Sequence, residues 1–189
     1  MGAGKSTALQ ALARMGAAVL SSDAVVHELY EGHALRDAVI ERWGPDLAPG
    51  GSLDRSLIAA RVFSDEQERK WLEGLLWPMV GERIGTWLTE VRSRYPAPKA
   101  AVVETPLLFE AGMEGVYDWT IAVIAEESLR RERAAGRGHA LIEERSSRQL
   151  SQEEKSRRAD FTVHNDGKPS EMEDQLQSIL EEIQRRTAR

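Results

Sequence analysis

Near the start of the chain, Gly2-Ala3-Gly4-Lys5-Ser6-Thr7 has the residue types and spacing to hold a triphosphate. The run is the later part of a phosphate-binding loop, whose full pattern is G-x-x-x-x-G-K-[ST]. Gly4, Lys5 and Ser6 supply the G-K-S, and the first glycine of the pattern would fall two residues before Met1. Glycines let consecutive backbone N–H groups point at phosphate oxygens, because no side chain blocks the approach. A helix beginning at the loop adds the positive end of its dipole. Lys5 is placed to reach the β and γ phosphates, and the Ser6 hydroxyl to ligate Mg²⁺, a hard cation that takes oxygen ligands. The chemistry implied is binding of a nucleoside triphosphate with its metal ion.

The elements that must position this loop read as an α/β chain. Leu9 and Leu12 mark a helix after Ser6, and Gly16 is its stop signal. Short apolar runs at 17–20, 100–103 and 120–125, and a weaker one at 161–163, read as buried strands. Helical patterns between them imply βαβ units, a parallel sheet covered on both faces and right-handed crossovers. The strand that should feed the loop, central in such a sheet, is not encoded, so the reading leaves a gap there. Residues 33–98 form a helical insert with no strand signal. Within it Ser64 and Gln67 read as a capping box, and Trp71, Leu72, Leu75, Leu76, Met79, Val80, Ile84, Trp87, Leu88 and Val91 recur at helical spacing. Pro78 should end or kink that run. The last segment reads as an amphipathic helix, capped by Ser170 with Glu173 and striped by Met172, Leu176, Ile179, Leu180 and Ile183.

Composition narrows the classes. A length of 189 residues suits one domain with an insert, and a net charge of −6 argues against a general nucleic-acid partner. The chain has no cysteine, which excludes disulfides and thiolate metal sites. No apolar run approaches the roughly 20 residues of a membrane span, and no signal peptide is visible. A cytoplasmic protein with no membrane partner is expected, acting as a monomer or weak homo-oligomer.

Further motifs, in order and spacing, carry a family resemblance. They are Ser21-Ser22-Asp23-Ala24, Leu53-Asp54-Arg55 followed by Val62-Phe63, and Pro106-Leu107-Leu108-Phe109-Glu110. Arg145, Gln149, Lys155, Ala159-Asp160 and Asn165 complete them. With the loop, they make the chain resemble the dephospho-CoA kinases over essentially its whole length. The resemblance implies a three-layer phosphate-loop kinase fold, with residues 1–32 and 99–189 as nucleotide-binding core and a lid near 130–145. It implies ATP and Mg²⁺ as cofactors, dephospho-CoA as partner substrate, and phosphorylation of its ribose 3′-hydroxyl to give coenzyme A. Phosphoryl transfer of this kind needs positioning and charge neutralisation more than covalent chemistry.

On this resemblance, Gly2, Ala3, Gly4, Lys5, Ser6 and Thr7 bind ATP, and Asp23, at a strand end, orients or deprotonates the acceptor hydroxyl. An Asp there serves equally as a helix N-cap. Glu104, ending its strand, joins Ser6 at the metal. Arg130, Arg133 and Arg137, beside Gly136 and Gly138, form a mobile lid, with Arg133 the catalytic member and Arg137 an ATP ligand. Asn165, in Asn165-Asp166-Gly167, wraps the adenine, although a plain turn explains the same residues. Trp77 and Leu107 are acceptor-side candidates together with Asp23. The chain departs from the pattern at Ser21, usually Asp, at His27, which tends to be Arg, at Trp77, usually His, and at Glu104, more often Asp. Met1 is expected to be an internal residue of a longer product. Rival readings are another small-metabolite or nucleoside kinase of the same fold and a non-catalytic ATP-binding module.

Overall fold

A computed structural model of the chain describes residues 2–135 and 150–187. By its internal contacts the chain divides into two units, one running to Val19 and resuming at Tyr95, the other Leu20–Arg94. The second unit takes in residues 20–32, which the sequence reading assigned to the nucleotide-binding core.

The first unit carries the loop. Helix α1 (Lys5–Arg14) follows Gly4 directly. Strand β1 (Ala18–Ser21) pairs with β2 (Ala101–Glu104), and the Ala18 N–H donates to the Ala100 carbonyl at 2.9 Å. Strand β3 (Ile121–Ile124) leads through α6 (Glu127–Ala135) and α7 (Gln152–Arg158) to β4 (Phe161–His164). The β3 and β4 strands pair in parallel, with Val123 opposite Val163. The last helix, α8, is Pro169–Thr187. Each strand lies within a residue of its expected place. The gap also holds: among the described residues the strands form two separate pairs, β1–β2 and β3–β4.

The core of this unit follows from two amphipathic helices. Ala8, Ala11 and Leu12 recur at three- and four-residue spacing on α1, and Met172, Leu176, Ile179 and Leu180 do so on α8. With Val163 from β4 they form one buried cluster, with Val102, Ile121 and Val123 packed against it. Burying a leucine side chain contributes about 1.5–3 kcal/mol, so the cluster holds α1, and with it the loop, against α8. An Arg14–Glu173 ion pair ties the rims of the two helices. The expected Ser170–Glu173 cap is thereby corrected. The helix starts at Pro169, so Ser170 lies inside it and Glu173 turns to Arg14. Proline suits a first helical position because its φ is preset and no N–H is lost there.

The second unit is helical: α2 (Ser22–Glu31), α3 (His33–Trp43), α4 (Arg55–Ser64) and α5 (Glu66–Arg92). Leu35, Val39, Ile58 and Leu72 form its core. Trp43 and Trp71 meet edge to face at 4.9 Å, and the Trp43 ring N–H donates to Glu68 at 2.6 Å. Caps set the helix starts. Asp54 accepts from the Ser56 and Leu57 N–H groups, and Asp65 from those of Gln67 and Glu68. The expected Ser64–Gln67 box is thus corrected by one residue. Ser64 belongs to the previous helix and donates to the Ala60 and Arg61 carbonyls. Pro78 does not end its run: it lies inside α5, which is 27 residues long. In a helix a proline ring crowds the carbonyl four residues back, here that of Gly74, where an added Cβ would meet nothing within 4 Å.

Candidate active site

The phosphate loop is held by contacts that its glycines make possible. Gly4 has φ 95°, and a Cβ there would stand 2.1 Å from Asn165 Nδ2. Gly2 has φ 77°, and its Cβ would meet the Arg130 carbonyl oxygen at 2.5 Å. Left-handed backbone and close approach both demand glycine at these positions. Between them, Ala3 is buried, and its carbonyl accepts from Asn165 Nδ2 at 2.8 Å.

Asn165 is the hub of this arrangement. It is buried, at the end of β4, where its N–H donates to the Ile124 carbonyl at 2.8 Å. Its own carbonyl accepts from Arg133 Nη1 at 3.0 Å. The residue read from sequence as an adenine contact therefore ties the loop to β3 and to α6. Its neighbour Asp166 accepts from the Glu126 N–H at 2.5 Å, just before α6 begins.

Lys5 and Ser6 open α1, where backbone N–H groups have no intrahelical partner and the dipole is positive. The Ser6 hydroxyl donates to Glu104 Oε1 at 3.4 Å. Two residues 98 positions apart in sequence thus place hard oxygen donors side by side at the helix N-terminus. Among the described residues no group of three or more His, Asp or Glu side chains could hold a metal alone. A divalent ion held here would take its remaining ligands from phosphate oxygens and water, as Mg²⁺ does with nucleotides. The donor set fits that ion.

The structure therefore brings together Gly2, Ala3, Gly4, Lys5, Ser6, Glu104, Arg133 and Asn165. Thr7 is exposed on α1. Leu107, in the turn after β2, is 46% exposed. Trp77 and Asp23 belong to the helical unit. Trp77 is 55% exposed on α5. Asp23 is corrected in its local setting: it neither ends a strand nor caps a helix. β1 ends at Ser21, which takes the extended N-cap position, and Asp23 is exposed in the first turn of α2. A carboxylate in a first turn complements the helix dipole. Arg137 lies outside the described residues, as do Gly136, Gly138, Arg145 and Gln149.

The partners in several polar clamps of the first unit escaped the sequence. Gln152 donates to the Ala125 carbonyl at 2.7 Å and accepts from its N–H at 2.9 Å. Asp160 accepts from both the N–H and the hydroxyl of Thr120 at 2.7 Å. Lys155 pairs with Glu110 at 2.7 Å, with side chains only 20% and 12% exposed. Burial works to raise the Glu110 carboxyl, but Lys155, the Leu150 N–H and its own backbone N–H outweigh this and hold it below its ordinary value. Lys155 and Asp160 were flagged by motif, yet nothing local names partners 40 or more residues away. Among the described residues no helix is long and apolar enough to cross a membrane.

Comparison with known proteins agrees with this geometry. A model of the dephospho-CoA kinase family matches residues 1–171. A relative from Rhodopseudomonas palustris named dephospho-CoA kinase is 36% identical over 184 residues, 96% of this chain and 90% of its own length. A relative of the same name from Deinococcus radiodurans is 36% identical over 187 residues, covering 97% and 89%. The crystal structure of TT1252 from Thermus thermophilus is similar with a TM-score of 0.78 at 33% identity, covering 96% of this chain and 93% of that one. Dephospho-CoA kinase from Campylobacter jejuni shares the fold, with a TM-score of 0.69 at 24% identity over 97% and 93%. Matched along nearly its whole length, and with the loop and Glu104 converging at the start of α1, the chain belongs to the dephospho-CoA kinase family.

Proposed function

We propose that this chain transfers the γ-phosphoryl group of ATP to the ribose 3′-hydroxyl of dephospho-CoA, giving coenzyme A and ADP in the last step of coenzyme A biosynthesis. The observation that carries the reading is the Ser6 hydroxyl beside the Glu104 carboxylate, 3.4 Å away, at the mouth of a glycine loop. In this reading the backbone N–H groups of residues 2–7 cradle the phosphates, and Lys5 neutralises charge on the β and γ oxygens. Ser6 and Glu104 would hold Mg²⁺, which would supply charge neutralisation for the phosphates. Arg133, anchored to the Asn165 carbonyl, faces charge developing in the transition state. Asp23 accepts the proton of the 3′-hydroxyl while the new O–P bond forms, and the bond to the bridging oxygen breaks to release ADP. The helical unit, with Trp77, serves the acceptor, and Leu107 contacts it from the turn after β2.

The protein acts in the cytoplasm as a monomer or weak homo-oligomer, and its net charge of −6 supports the absence of a nucleic-acid partner. The test is release of ADP from ATP and Mg²⁺ with and without dephospho-CoA, with adenosine as a control acceptor. Release that depends on dephospho-CoA is the expected result. ATP binding with no acceptor-dependent release would replace the reading with a non-catalytic module, and a preference for adenosine would replace it with a nucleoside kinase.

A further inference from the structure

The Leu53-Asp54-Arg55 run is not used by the chemistry above, and the structure separates its parts. Leu53 packs against the core of the helical unit, and Asp54 caps α4. Arg55 does neither. Its guanidinium lies over the Tyr30 ring, 5.1 Å from the centroid, and among the described residues it has no ion pair or hydrogen bond. A planar fork of donors, held in place by a ring yet given no anion, is prepared to receive one.

Arg55 borders a cavity of about 290 Å³ within the helical unit, whose wall also carries Tyr30, Arg36, His27, Glu31 and Gly51. The charge of this wall favours an anion. Among the described residues Arg36 is engaged by the adjacent Asp37 alone, at 2.8 Å, a surface pair worth little. The carboxylate on the wall, Glu31, lies 3.7 Å from His27 and is 76% exposed. Gly51, with φ 87° and nothing within 4 Å of a Cβ, leaves its backbone open. The partly buried Tyr30 phenol is pushed up by desolvation, against the opposing pull of Arg55, and so stays a neutral hydroxyl.

We propose that this cavity binds the diphosphate ester of the acceptor, with Arg55 and Arg36 as its anion ligands. The proposal rests on reading the helical unit as the acceptor domain. ATP is the other source of such a group, but its phosphates are claimed by the glycine loop of the first unit. The volume is near the lower bound for small-ligand sites, about 300 Å³, which suits a diphosphate with its flanks and not the whole acceptor. The diphosphate is also one of the groups that dephospho-CoA has and adenosine lacks.

Calorimetric titration of the wild type, Arg55→Ala and Arg55→Lys with dephospho-CoA, ATP and adenosine tests this, alongside steady-state KM values. Loss of a charge-assisted contact should weaken dephospho-CoA binding about tenfold to hundredfold in Arg55→Ala, with partial rescue in Arg55→Lys. Binding of ATP and of adenosine should be unchanged. An unaltered dissociation constant for dephospho-CoA overturns the proposal. Arg55 is exposed, so a wild-type melting temperature is expected; should the variant melt early, Arg36→Ala carries the same test. Wild-type binding without turnover would sink the kinase reading and leave the pocket. Turnover with Arg55→Ala binding intact would do the reverse, and no binding by the wild type would end both.

Discussion

Gly4→Ala, alone and combined with Asn165→Ala, tests whether the phosphate loop is held by the packing described. Alone, Gly4→Ala incurs two costs. An alanine at φ 95° sits in the left-handed region, costing about 1–2 kcal/mol. Its Cβ would also displace Asn165 Nδ2, which lies 2.1 Å from that position and bonds the Ala3 carbonyl. Stranding that buried carbonyl costs about 1–3 kcal/mol, for a total of roughly 2–5 kcal/mol by addition of the two principles. Asn165→Ala alone strands the same carbonyl at about 1–3 kcal/mol. The double variant should not cost the sum. Once the amide is gone, the nearest remaining atom is Asn165 Cβ at 4.0 Å, an ordinary contact. The carbonyl is then lost only once, and the two changes couple by about 1–3 kcal/mol. Thermal melts read this directly, at roughly 2–4 °C per kcal/mol for a chain of this size. Additive melting shifts would refute the argument, since they would mean that Gly4 and Asn165 do not meet.

Glu104→Gln keeps the shape and one oxygen but removes the charge beside Ser6. It should lower kcat by about 10²–10³, leave the melting temperature near wild type and raise the Mg²⁺ concentration needed for half-maximal rate; wild-type kcat would remove Glu104 from the site. Lys155→Met should destabilise the protein by about 1.5–3 kcal/mol, because Glu110 loses its charged partner. The pH dependence has a definite sign. The folded Glu110 value lies below its ordinary value of 4.5, so between the two the unfolded chain binds the extra proton. The stability this pair contributes is complete above about 4.5 and is lost as pH falls through the lowered folded value. In Lys155→Met the lowering contributions of Lys155 are removed, so the folded value rises relative to wild type and the acid loss should become shallower. Identical acid limbs in urea titrations of the two proteins would contradict this.

Legibility varied with the range of the interaction. The strands were readable because a short apolar run bounded by turns has few other uses. The stripes on α1 and α8 were readable because 3.6-residue periodicity records a buried face. The helix starts were less so: Ser64 and Asp65 are both good caps, as are Ser21 and Asp23. Which residue takes the extended conformation depends on where the preceding element stops. Of the two outcomes expected at Pro78, an end or a kink, the end does not occur, since a helix held along its length by tertiary packing can carry a proline that would end an isolated one.

By itself the sequence determined the ligand chemistry. G-K-S after a glycine is a local device, and its function needs only backbone N–H groups, an ammonium and a hydroxyl on consecutive residues. It also determined the order of elements, since periodicity is a property of neighbours in the chain. The family resemblance had already put Glu104 beside Ser6 at the metal, but only the tertiary structure decided the contacts that distant groups make. Glu104 reaches Ser6, Asn165 holds Ala3, Lys155 pairs with Glu110, and Arg55 lies over Tyr30 with no ion pair among the described residues. The physical reason is that hydrogen bonds and ion pairs act over a few ångströms of space. Only the burial of α1 against α8 and the strand pairs brings residues 98 or 162 positions apart within that reach.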